Sequence, residues 1–373
     1  MPRVRVAIAG VGNVASALVQ GVFKYRDAPD DHWIPGLMHV RFGPYHISDI
    51  EFVAAFDVDE RKIGKDLSEA IFAPPNCVPR FADVPKLGVE VLKGPVLDGV
   101  APHMRDFRYG EGFLVDDSRP SVEVADVLRE VDADVLVNLI PVGSYNASRA
   151  YAQAAIEAGV GFINGIPEFI VSDPEWGARF AEAGVPAAGD DFKSQFGATI
   201  LHRAIVRLAV DRGLRVKETY QLNIGGNMDF LNMIEEDRLH TKRVSKTEAV
   251  TSMVPYEIEA RIGPSDYVPF LGDRKVMYVW FVAEQFGGFP VYVDVKLSVM
   301  DSPNAAGVAI DAIRAIKLAA DRGIAGPLEE VSAYFFKHPP RQYPDDVARR
   351  MVEAFIRGES VEEVVSQTEL PSS

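Results

Sequence analysis

The stretch Val4-Arg-Val-Ala-Ile-Ala-Gly10-Val-Gly12-Asn-Val-Ala15 decides the fold of this chain. Its first six residues have the apolar character of a short buried strand, and a helical pattern follows the two glycines. A strand that turns through glycines into a helix brings backbone N–H groups and the positive end of the helix up to a pyrophosphate. The stretch therefore predicts a dinucleotide-binding domain of Rossmann type, in which Gly10, Gly12, Asn13 and Val14 contact the cofactor. A tight strand-to-helix turn without a ligand is the alternative.

A second apolar strand, Glu51-Phe-Val-Ala-Ala-Phe-Asp57, ends in an acid. A carboxylate at this position can accept hydrogen bonds from the adenosine ribose and disfavours a 2′-phosphate, so Asp57 favours NAD over NADP. The spacing from the glycines is long because residues 25–50 form an extra excursion. A helix is predicted over about residues 59–70. Residues 73–120 are rich in Pro and Gly, which predicts a long ordered wrap or lid to which the sequence assigns no role.

Regular alternation of strands and helices resumes at the strand Val135-Leu-Val-Asn138-Leu-Ile. Ligands in open α/β sheets bind at the carboxyl ends of the strands. We therefore expect Asn138, Pro141 and Ser144, which follow this strand or end it, to contact the cofactor.

A polar segment, Gly189-Asp-Asp-Phe-Lys-Ser194, follows the strand predicted at residues 185–189 and precedes a helix. Its two acids, its lysine and its serine could all address a cofactor or a phosphate. Asp190 and Lys193 are expected on the cofactor, and a capping role is the alternative for Asp191. A helix is predicted to follow, with apolar residues at Phe196, Ile200, Leu201, Ala204, Ile205 and Leu208.

From about residue 214 to residue 300 the pattern becomes that of a separate sheet. Valines and a leucine at alternate positions between Val291 and Val299 predict a half-buried strand. Asp301-Ser-Pro303 then places a cap residue before a proline at the start of a helix, which returns the chain to the first lobe. The predicted fold is α/β, with a Rossmann-type domain interrupted by an inserted α+β domain for catalysis and oligomerisation. Its parts are residues 1–213, the first part of the NAD-binding domain, residues 214–301, the insertion, and residues 302–373, the return with C-terminal helices.

Four lysines stand in short polar motifs of the C-terminal half, although only 13 of the 39 basic residues are lysines. A lysine can lose its proton when burial or a neighbouring cation lowers its pKa, so it can act as acid, base or phosphate anchor where arginine cannot. With the nucleotide-binding N-terminus, these lysines predict chemistry on a phosphorylated substrate. A solvated basic surface is the alternative. The four lysines are Lys242, Lys246, Lys275 and Lys337.

Length, charge and cysteine content exclude several classes of protein. The chain has 373 residues, 47% of them hydrophobic, which is enough for two lobes. Its formal net charge of -15 argues against nucleic acid or an anionic membrane surface as a partner. With Cys77 as the single cysteine no intrachain disulfide can form, and no signal-peptide or membrane-spanning pattern is visible, so we expect a cytoplasmic protein.

Six short motifs follow one another through the second half of the chain. They are Gly189-Asp-Asp-Phe-Lys-Ser, Asn223-Ile-Gly-Gly-Asn-Met-Asp-Phe-Leu-Asn232, Ser245-Lys-Thr, Gly272-Asp-Arg-Lys275, Asp301-Ser-Pro-Asn-Ala-Ala-Gly and Tyr334-Phe-Phe-Lys337-His-Pro-Pro. In this order they resemble myo-inositol-1-phosphate synthase (inositol-3-phosphate synthase) in its shorter bacterial and archaeal form. One departure is Gln195-Phe-Gly, which replaces the glycine-glutamine stretch of the longer eukaryotic form and puts that part of the cofactor contact in doubt.

The resemblance implies conversion of glucose 6-phosphate to 1D-myo-inositol 3-phosphate with NAD bound throughout. The family oxidises C5, enolises towards C6, closes the ring by an intramolecular aldol reaction and reduces the product ketone again. The chemistry agrees with the lysines, because a C5 ketone acidifies the C6 protons and the enolate and alkoxide both need cationic stabilisation.

The resemblance also implies roles for individual residues. Lys242 matches the lysine that exchanges the proton of the C5 hydroxyl, and Lys337 matches the one that stabilises charge at the aldol step. Lys246 and Lys275 match phosphate and oxyanion contacts. Asp191 and Asp301 match carboxylates that orient these lysines or relay protons. Matches to the substrate pocket are Ser194, Asn223, Asn227 and Asp229.

Three questions stay open from the sequence. A metal site is unknown, because the histidines show no paired ligand spacing, and a divalent cation or ammonium beside the substrate phosphate stays undecided. The rival functions are a Rossmann dehydrogenase with net NADH production and a catalytically silent NAD-binding paralogue. A strand with Tyr278, Trp280 and Phe281, apolar on both faces, predicts a covered surface and a homo-oligomer, and the resemblance implies a tetramer.

Overall fold

A seven-stranded parallel sheet forms the first lobe of the protein. The computed structural model describes residues 2–107, 111–234 and 240–366, without the side chains of Asp106, His240, Lys242, Arg243 and Pro264. The strands are β1 (Val4–Ala9), β4 (Ile50–Asp57), β5 (Val91–Lys93), β6 (Val135–Asn138), β7 (Gly161–Asn164), β8 (Pro186–Ala188) and β13 (Gly326–Pro327). Their order is β13-β8-β7-β6-β1-β4-β5. The direction of winding reverses between β1 and β6, where ligands bind in doubly wound sheets. The α/β fold class is confirmed.

Helices cover both faces of this sheet, because its strands are apolar on both sides. Val4, Val6 and Ile8 of β1 join one core, whereas Ala7 and Ala9 join the other. The first core lies under α1 (Asn13–Tyr25), α10 (Asp301–Asp321), α11 (Glu329–Phe335) and α12 (Asp345–Arg357). The second lies under α4 (Val124–Glu130), α5 (Tyr145–Ala158) and α6 (Pro174–Glu182). Shorter helices are α2 (Leu67–Ala70), α3 (Pro102–Asp106) and α13 (Val361–Ser366). In the described part of the chain, none of the helices has the length and apolar character needed to cross a membrane.

The excursion between α1 and β4 is fastened to α10 rather than left in solvent. It contains the small hairpin of β2 (Arg41–Phe42) and β3 (Tyr45–His46). The guanidinium of Arg314, fully buried on α10, donates to the carbonyl oxygens of His39 and Val40, each at 2.6 Å. Arg314 also pairs with Asp311 one turn earlier, so the buried charge is balanced. The C-terminal part of the chain therefore holds this N-terminal insertion in place.

The helix predicted over residues 59–70 is wrong for most of its length. A turn occupies the residues after Asp59, and only α2 is helical. Gly64 adopts a φ of +82°, which stops a right-handed helix there. The Asp66 side chain then caps α2 by accepting from the Ser68 N–H. This turn places Lys62 inside the protein, with 1% of its surface exposed.

A second sheet of four strands is built from residues 215 to 300. Its strands are β9 (Arg215–Gly225), β10 (Glu259–Tyr267), β11 (Arg274–Glu284) and β12 (Pro290–Met300), in the order β10-β9-β11-β12. One face packs on α7 (Ala198–Asp211) and α9 (His240–Thr251), and α8 (Met228–Asn232) follows β9. The strands predicted here are confirmed, whereas the domain boundaries at 213/214 and 301/302 stay a prediction.

The helix predicted after Ser194 is confirmed as α7, and its apolar positions are divided between the core and solvent. Leu201 and Ile205 pack against buried residues of the second sheet, whereas Phe196, just before the helix, and Leu208 are 56% and 60% exposed. The buried face also carries His202 and Arg203, which have hydrogen-bond partners on β9 and α12. His202 bonds to Thr219 Oγ1 at 2.8 Å, and burial lowers its pKa to about 4, so the ring is neutral. Hydrogen bonds and apolar packing thus both orient this helix.

Candidate functional site

One cleft runs between the two lobes and is lined by residues of both. The cleft encloses about 1470 Å³, a volume that includes space open to solvent. The glycine turn of the first lobe and polar side chains of both lobes therefore face one common space. Predicted site residues on its wall are Gly10, Gly12, Asn13, Val14, Asp57, Pro141, Asp191, Ser194, Asn227, Asp229, Lys246, Lys275, Asp301 and Lys337.

The glycine turn between β1 and α1 fits a pyrophosphate. Gly10 has a φ of +90°, and a Cβ there would lie 2.7 Å from the carbonyl oxygen of Leu139, so only glycine fits. A Cβ on Gly12 would meet nothing within 4 Å, and Gly12 lines the cleft. It is also the N-cap of α1, without a side-chain cap, so the helix N-terminus is presented to the cleft. This is the arrangement in which backbone N–H groups bind an anion.

Asp57, at the end of β4, is held by backbone N–H groups. Its carboxylate accepts from Val58 at 2.7 Å, from Val11 at 2.8 Å and from Asp59 at 2.9 Å. The ammonium of Lys62 lies 3.6 Å away. Asp57 is therefore rigidly placed on the cleft wall, and its contact with a ribose stays a prediction.

Of the three residues predicted at the end of β6 to contact the cofactor, Pro141 lines the cleft and Asn138 and Ser144 are buried. Asn138 is fully buried and donates to Asn164 Oδ1 at 3.0 Å, while the hydroxyl of Ser144 donates to the carbonyl oxygen of Pro141. Both side chains are used inside the lobe, whereas Pro141 lines the cleft. The apolar neighbours Leu139, Ile140 and Val142 line it as well, and sequence reasoning missed them because they carry no polar group.

The segment Gly189 to Ser194 divides its polar side chains between the core and the cleft. Asp190 is fully buried and accepts from the N–H groups of Ile170, Val171 and Ser172 at 3.0 to 3.1 Å. Lys193 donates to Asp345 Oδ1 and to a backbone carbonyl, both at 2.8 Å. The structure thus places the side chains of Asp190 and Lys193 in the core, which corrects their predicted place beside the cofactor. Asp191 and Ser194 line the cleft instead.

Asp191, on the cleft wall, accepts hydrogen bonds from two other motifs. Its Oδ1 accepts from the Lys337 ammonium at 2.6 Å, and its Oδ2 accepts from the Ser245 hydroxyl at 2.9 Å. The Lys337 N–H also donates to the Asp191 carbonyl at 2.7 Å, so the two backbone segments are fixed together. This joins three of the six motifs at one carboxylate, and sequence reasoning had given no role to Ser245.

Lys275 and Asp301 form a second pair on the same wall, with 3.2 Å between Nζ and Oδ1. Burial favours the neutral amine, but Asp301 and Asp229 outweigh that effect and raise the pKa of Lys275. Lys275 is therefore a fixed cation at neutral pH, suited to bind a phosphate or an oxyanion. Lys246, on α9, also lines the cleft and is 4% exposed. The side chain of Lys242 lies outside the described residues.

The asparagine motif begins within β9, at Asn223, and continues through α8. Asn227 caps α8 by accepting from the Asp229 N–H at 3.1 Å and donates to Asp273 Oδ1 at 3.1 Å. Burial raises the pKa of Asp273 to about 6, although hydrogen bonds from Ser302 and Asn227 oppose that shift. Asn223 is buried beside Gln221, with its Nδ2 unpaired in the described part of the chain. Asn227 and Asp229 thus reach the cleft wall, whereas Asn223 lies behind it.

Metal ligands do not cluster in the described part of the chain. No group of three or more His, Cys, Asp or Glu side chains there has the geometry to hold a metal ion. The need for a divalent cation or ammonium stays undecided.

Comparison with known proteins finds one family along the chain and a similar fold. The family model described as myo-inositol-1-phosphate synthase matches residues 197–302. Inositol-3-phosphate synthases of Mycolicibacterium smegmatis and Corynebacterium glutamicum are each 54% identical over 362 residues, which is 95% of this chain and 98% of each relative. A solved structure of a myo-inositol-1-phosphate synthase-related protein from Thermotoga maritima is 26% identical, with a TM-score of 0.77 over 96% of this chain and 99% of that one.

Proposed function

This chain belongs to the inositol-3-phosphate synthase family, and we propose that it isomerises D-glucose 6-phosphate to 1D-myo-inositol 3-phosphate with NAD as its cofactor. The observation that carries the proposal is the shared cleft, whose wall carries both the glycine turn and the motif lysines Lys246, Lys275 and Lys337. A sugar phosphate bound at these lysines would share the cleft with a cofactor bound at the turn. Oxidation and later reduction can then occur without release of an intermediate.

The first lobe supplies the cofactor half of the cleft. The open face at Gly12 and the N-terminus of α1 would hold the pyrophosphate of NAD, and Asp57 would face the adenosine ribose. Bound there, NAD would take a hydrogen with its electron pair from C5 and give it back at the last step. Leu139, Ile140 and Val142 form an apolar wall that keeps water from this part of the cleft.

The lysines and their carboxylates serve the substrate half. We assign Lys275 and Lys246 to the phosphate and to developing oxyanions, since Lys275 is kept protonated by Asp301 and Asp229. Lys337, bonded to Asp191, would stabilise the alkoxide of the aldol step and exchange its proton through that carboxylate. Lys242 would exchange the proton of the C5 hydroxyl, as the family pattern implies.

The test is incubation of the purified protein with NAD and glucose 6-phosphate, with inositol phosphate followed by chromatography and NADH by absorbance. We expect inositol phosphate without net NADH. Accumulation of NADH would indicate a dehydrogenase instead, and NAD binding without turnover would indicate the silent paralogue. Addition of a chelator and of ammonium to the same assay decides the cation requirement.

An exposed aromatic face supports a homo-oligomer, which we propose to be a tetramer in the cytoplasm. The face of the second sheet opposite α7 carries Tyr220, Trp280 and Tyr292 in a stacked row, with ring centroids 5.5 and 6.3 Å apart. Tyr292 is 65% exposed and Leu222 is 40% exposed. A contiguous apolar patch of this kind is typical of a protein interface. Light scattering that gives the mass of one chain would contradict the proposal.

A further inference from the structure

Three side chains from outside the glycine turn hold its middle residue, Val11. The Val11 N–H donates to Asp57 Oδ2 at 2.8 Å. The Val11 carbonyl oxygen accepts from Lys62 Nζ at 2.8 Å and from Asn76 Nδ2 at 3.0 Å. Both polar groups of this residue are thus bonded to side chains. The conformation of the turn therefore depends on residues 46 to 65 positions away along the chain.

The Val11 carbonyl and the Gly12 N–H belong to one peptide group. In a planar trans peptide these two bonds point in opposite directions. Lys62 and Asn76, which also line the cleft, bind the carbonyl and so fix the Gly12 N–H in the opposite direction. Gly12 lines the cleft, and a Cβ there would meet no protein atom within 4 Å. Fixing the carbonyl therefore fixes a donor at the place where the turn fits a pyrophosphate.

The side chain of Lys62 is held in place by three oxygen atoms. Lys62 is buried, with 1% of its surface exposed. Besides the Val11 carbonyl oxygen, its ammonium donates to Asn76 Oδ1 at 3.2 Å, and it lies 3.6 Å from Asp57 Oδ2. A buried ammonium is stable only when oxygen atoms surround it. Here Val11, Asn76 and Asp57 provide those oxygens, so the cation, the acid at the end of β4 and the turn form one unit.

We propose that Lys62 is a positioning residue for the cofactor, with Asn76 as its partner. The inference rests on the proposed function, because the ligand it serves is NAD. It also gives a role to the start of the segment 73–120. Cys77, next to Asn76, donates its N–H to Asn13 Oδ1 at 2.8 Å, so this segment braces the residues on both sides of Gly12.

The experiment is calorimetric titration of NAD into the parent protein and into Lys62→Met, with the melting temperature of each recorded. We expect the Kd for NAD to rise at least about tenfold in Lys62→Met, as for loss of one good hydrogen bond. Lys62→Gln, whose amide can still donate to the Val11 carbonyl, should recover part of the affinity. Lys65→Met is the matched control, since Lys65 is an exposed lysine of the same turn, and should bind NAD as the parent does.

A lower melting temperature with an unchanged Kd in Lys62→Met would overturn the inference, because it would mean a purely structural role. If Lys62→Met does not fold, Asn76→Ala decides, since Asn76 is only partly buried and its loss should weaken NAD binding severalfold. Unchanged binding in that variant would also overturn the inference. A parent protein that does not bind NAD would overturn the proposed function, and the inference with it.

Discussion

Two clusters of basic side chains and carboxylates share neighbouring segments of the chain but differ in function. One lies in the core and the other lies on the cleft wall. In the core cluster, Lys193 and Arg203 both bond to Asp345, each at 2.8 Å. In the cleft cluster, Lys337 bonds to Asp191 at 2.6 Å. Lys193 and Asp191 stand in the same motif, and their side chains point to opposite sides of it.

The clusters differ in what occupies their remaining hydrogen-bonding groups. The core cations donate their other N–H groups to backbone carbonyls, Lys193 to Ala333 and Arg203 to Tyr343. The cleft cluster faces space shared with Lys246 and Lys275. A lysine in a conspicuous motif is thus not by itself a catalytic signal, and the partners of its other donors decide its role.

The largest effect should come from Lys337→Ala in the cleft cluster. We expect the rate of inositol phosphate formation to fall about 1,000-fold, the range of a lost proton-transfer and charge-stabilising group. The matched change in the core cluster, Lys193→Ala, should reduce stability and leave the turnover of the folded protein near that of the parent. A similar loss of turnover in both variants would remove the distinction between the clusters.

The next effect is on stability, from Asp345→Asn in the core cluster. Loss of the carboxylate leaves Lys193 and Arg203 as unpaired buried cations, so the free energy of unfolding should fall by about 3 kcal/mol. Urea denaturation measures it. A change under 1 kcal/mol would mean that solvent reaches the cluster freely.

The same variant tests the pH dependence. Burial alone would raise the pKa of Asp345, but Lys193 and Arg203 outweigh it and lower the pKa to about 2. Because the folded pKa lies below the ordinary value of 3.8, the stabilisation is complete above that value and is lost as the pH falls towards 2. The difference in stability between parent and Asp345→Asn should therefore shrink below about pH 4.

Lys275→Gln should show that the cleft cluster needs more than one cation. We expect about a 100-fold loss of kcat/KM, because an amide cannot replace a charge that binds a phosphate or an oxyanion. Lys275→Arg keeps the charge and should retain more activity. Steady-state kinetics with glucose 6-phosphate at saturating NAD distinguishes the two, and equal losses would argue against a purely electrostatic role.

The smallest effect should come from Ser245→Ala. Asp191 then loses the Ser245 hydroxyl as a donor but keeps Lys337, so kcat should fall about tenfold with little change in stability. Ser245→Thr keeps the hydroxyl and should restore most of the rate. If Ser245→Ala turns over as fast as the parent, Lys337 alone orients Asp191.

The glycine turn, the parallel sheet and the strands of the second sheet could be predicted because each leaves a local pattern. Which of Asp190 and Asp191 faces the cleft could not be predicted, because the side chains of adjacent residues at a strand end can point to either side. The burial of His202 and Arg203 on α7 could not be predicted either, because their hydrogen-bond partners lie on β9 and α12, far away along the chain.

Long-range hydrogen bonds account for the rest of the site that sequence reasoning missed. The roles of Lys62 and Asn76 could not be predicted, because the pattern after β4 indicates a helix and the segment that follows has no regular period. Ser245 stood in a recognised motif without a role, because only the fold brings α9 to Asp191. Contacts between distant segments set these positions, and propensity acts only locally.

The return of the chain after the second sheet has a consequence for protein synthesis. β13 completes the edge of the first sheet beside β8, and α10 covers β1, β6, β7 and β8. A ribosome that has made strands β1 to β8 has therefore not yet made the helix that completes the cover on one of their faces. Until translation passes Asp321, this face of the sheet is only partly covered, and Lys337 emerges later still. The nucleotide lobe thus closes late in translation, and an unfinished chain is the form most in need of a chaperone.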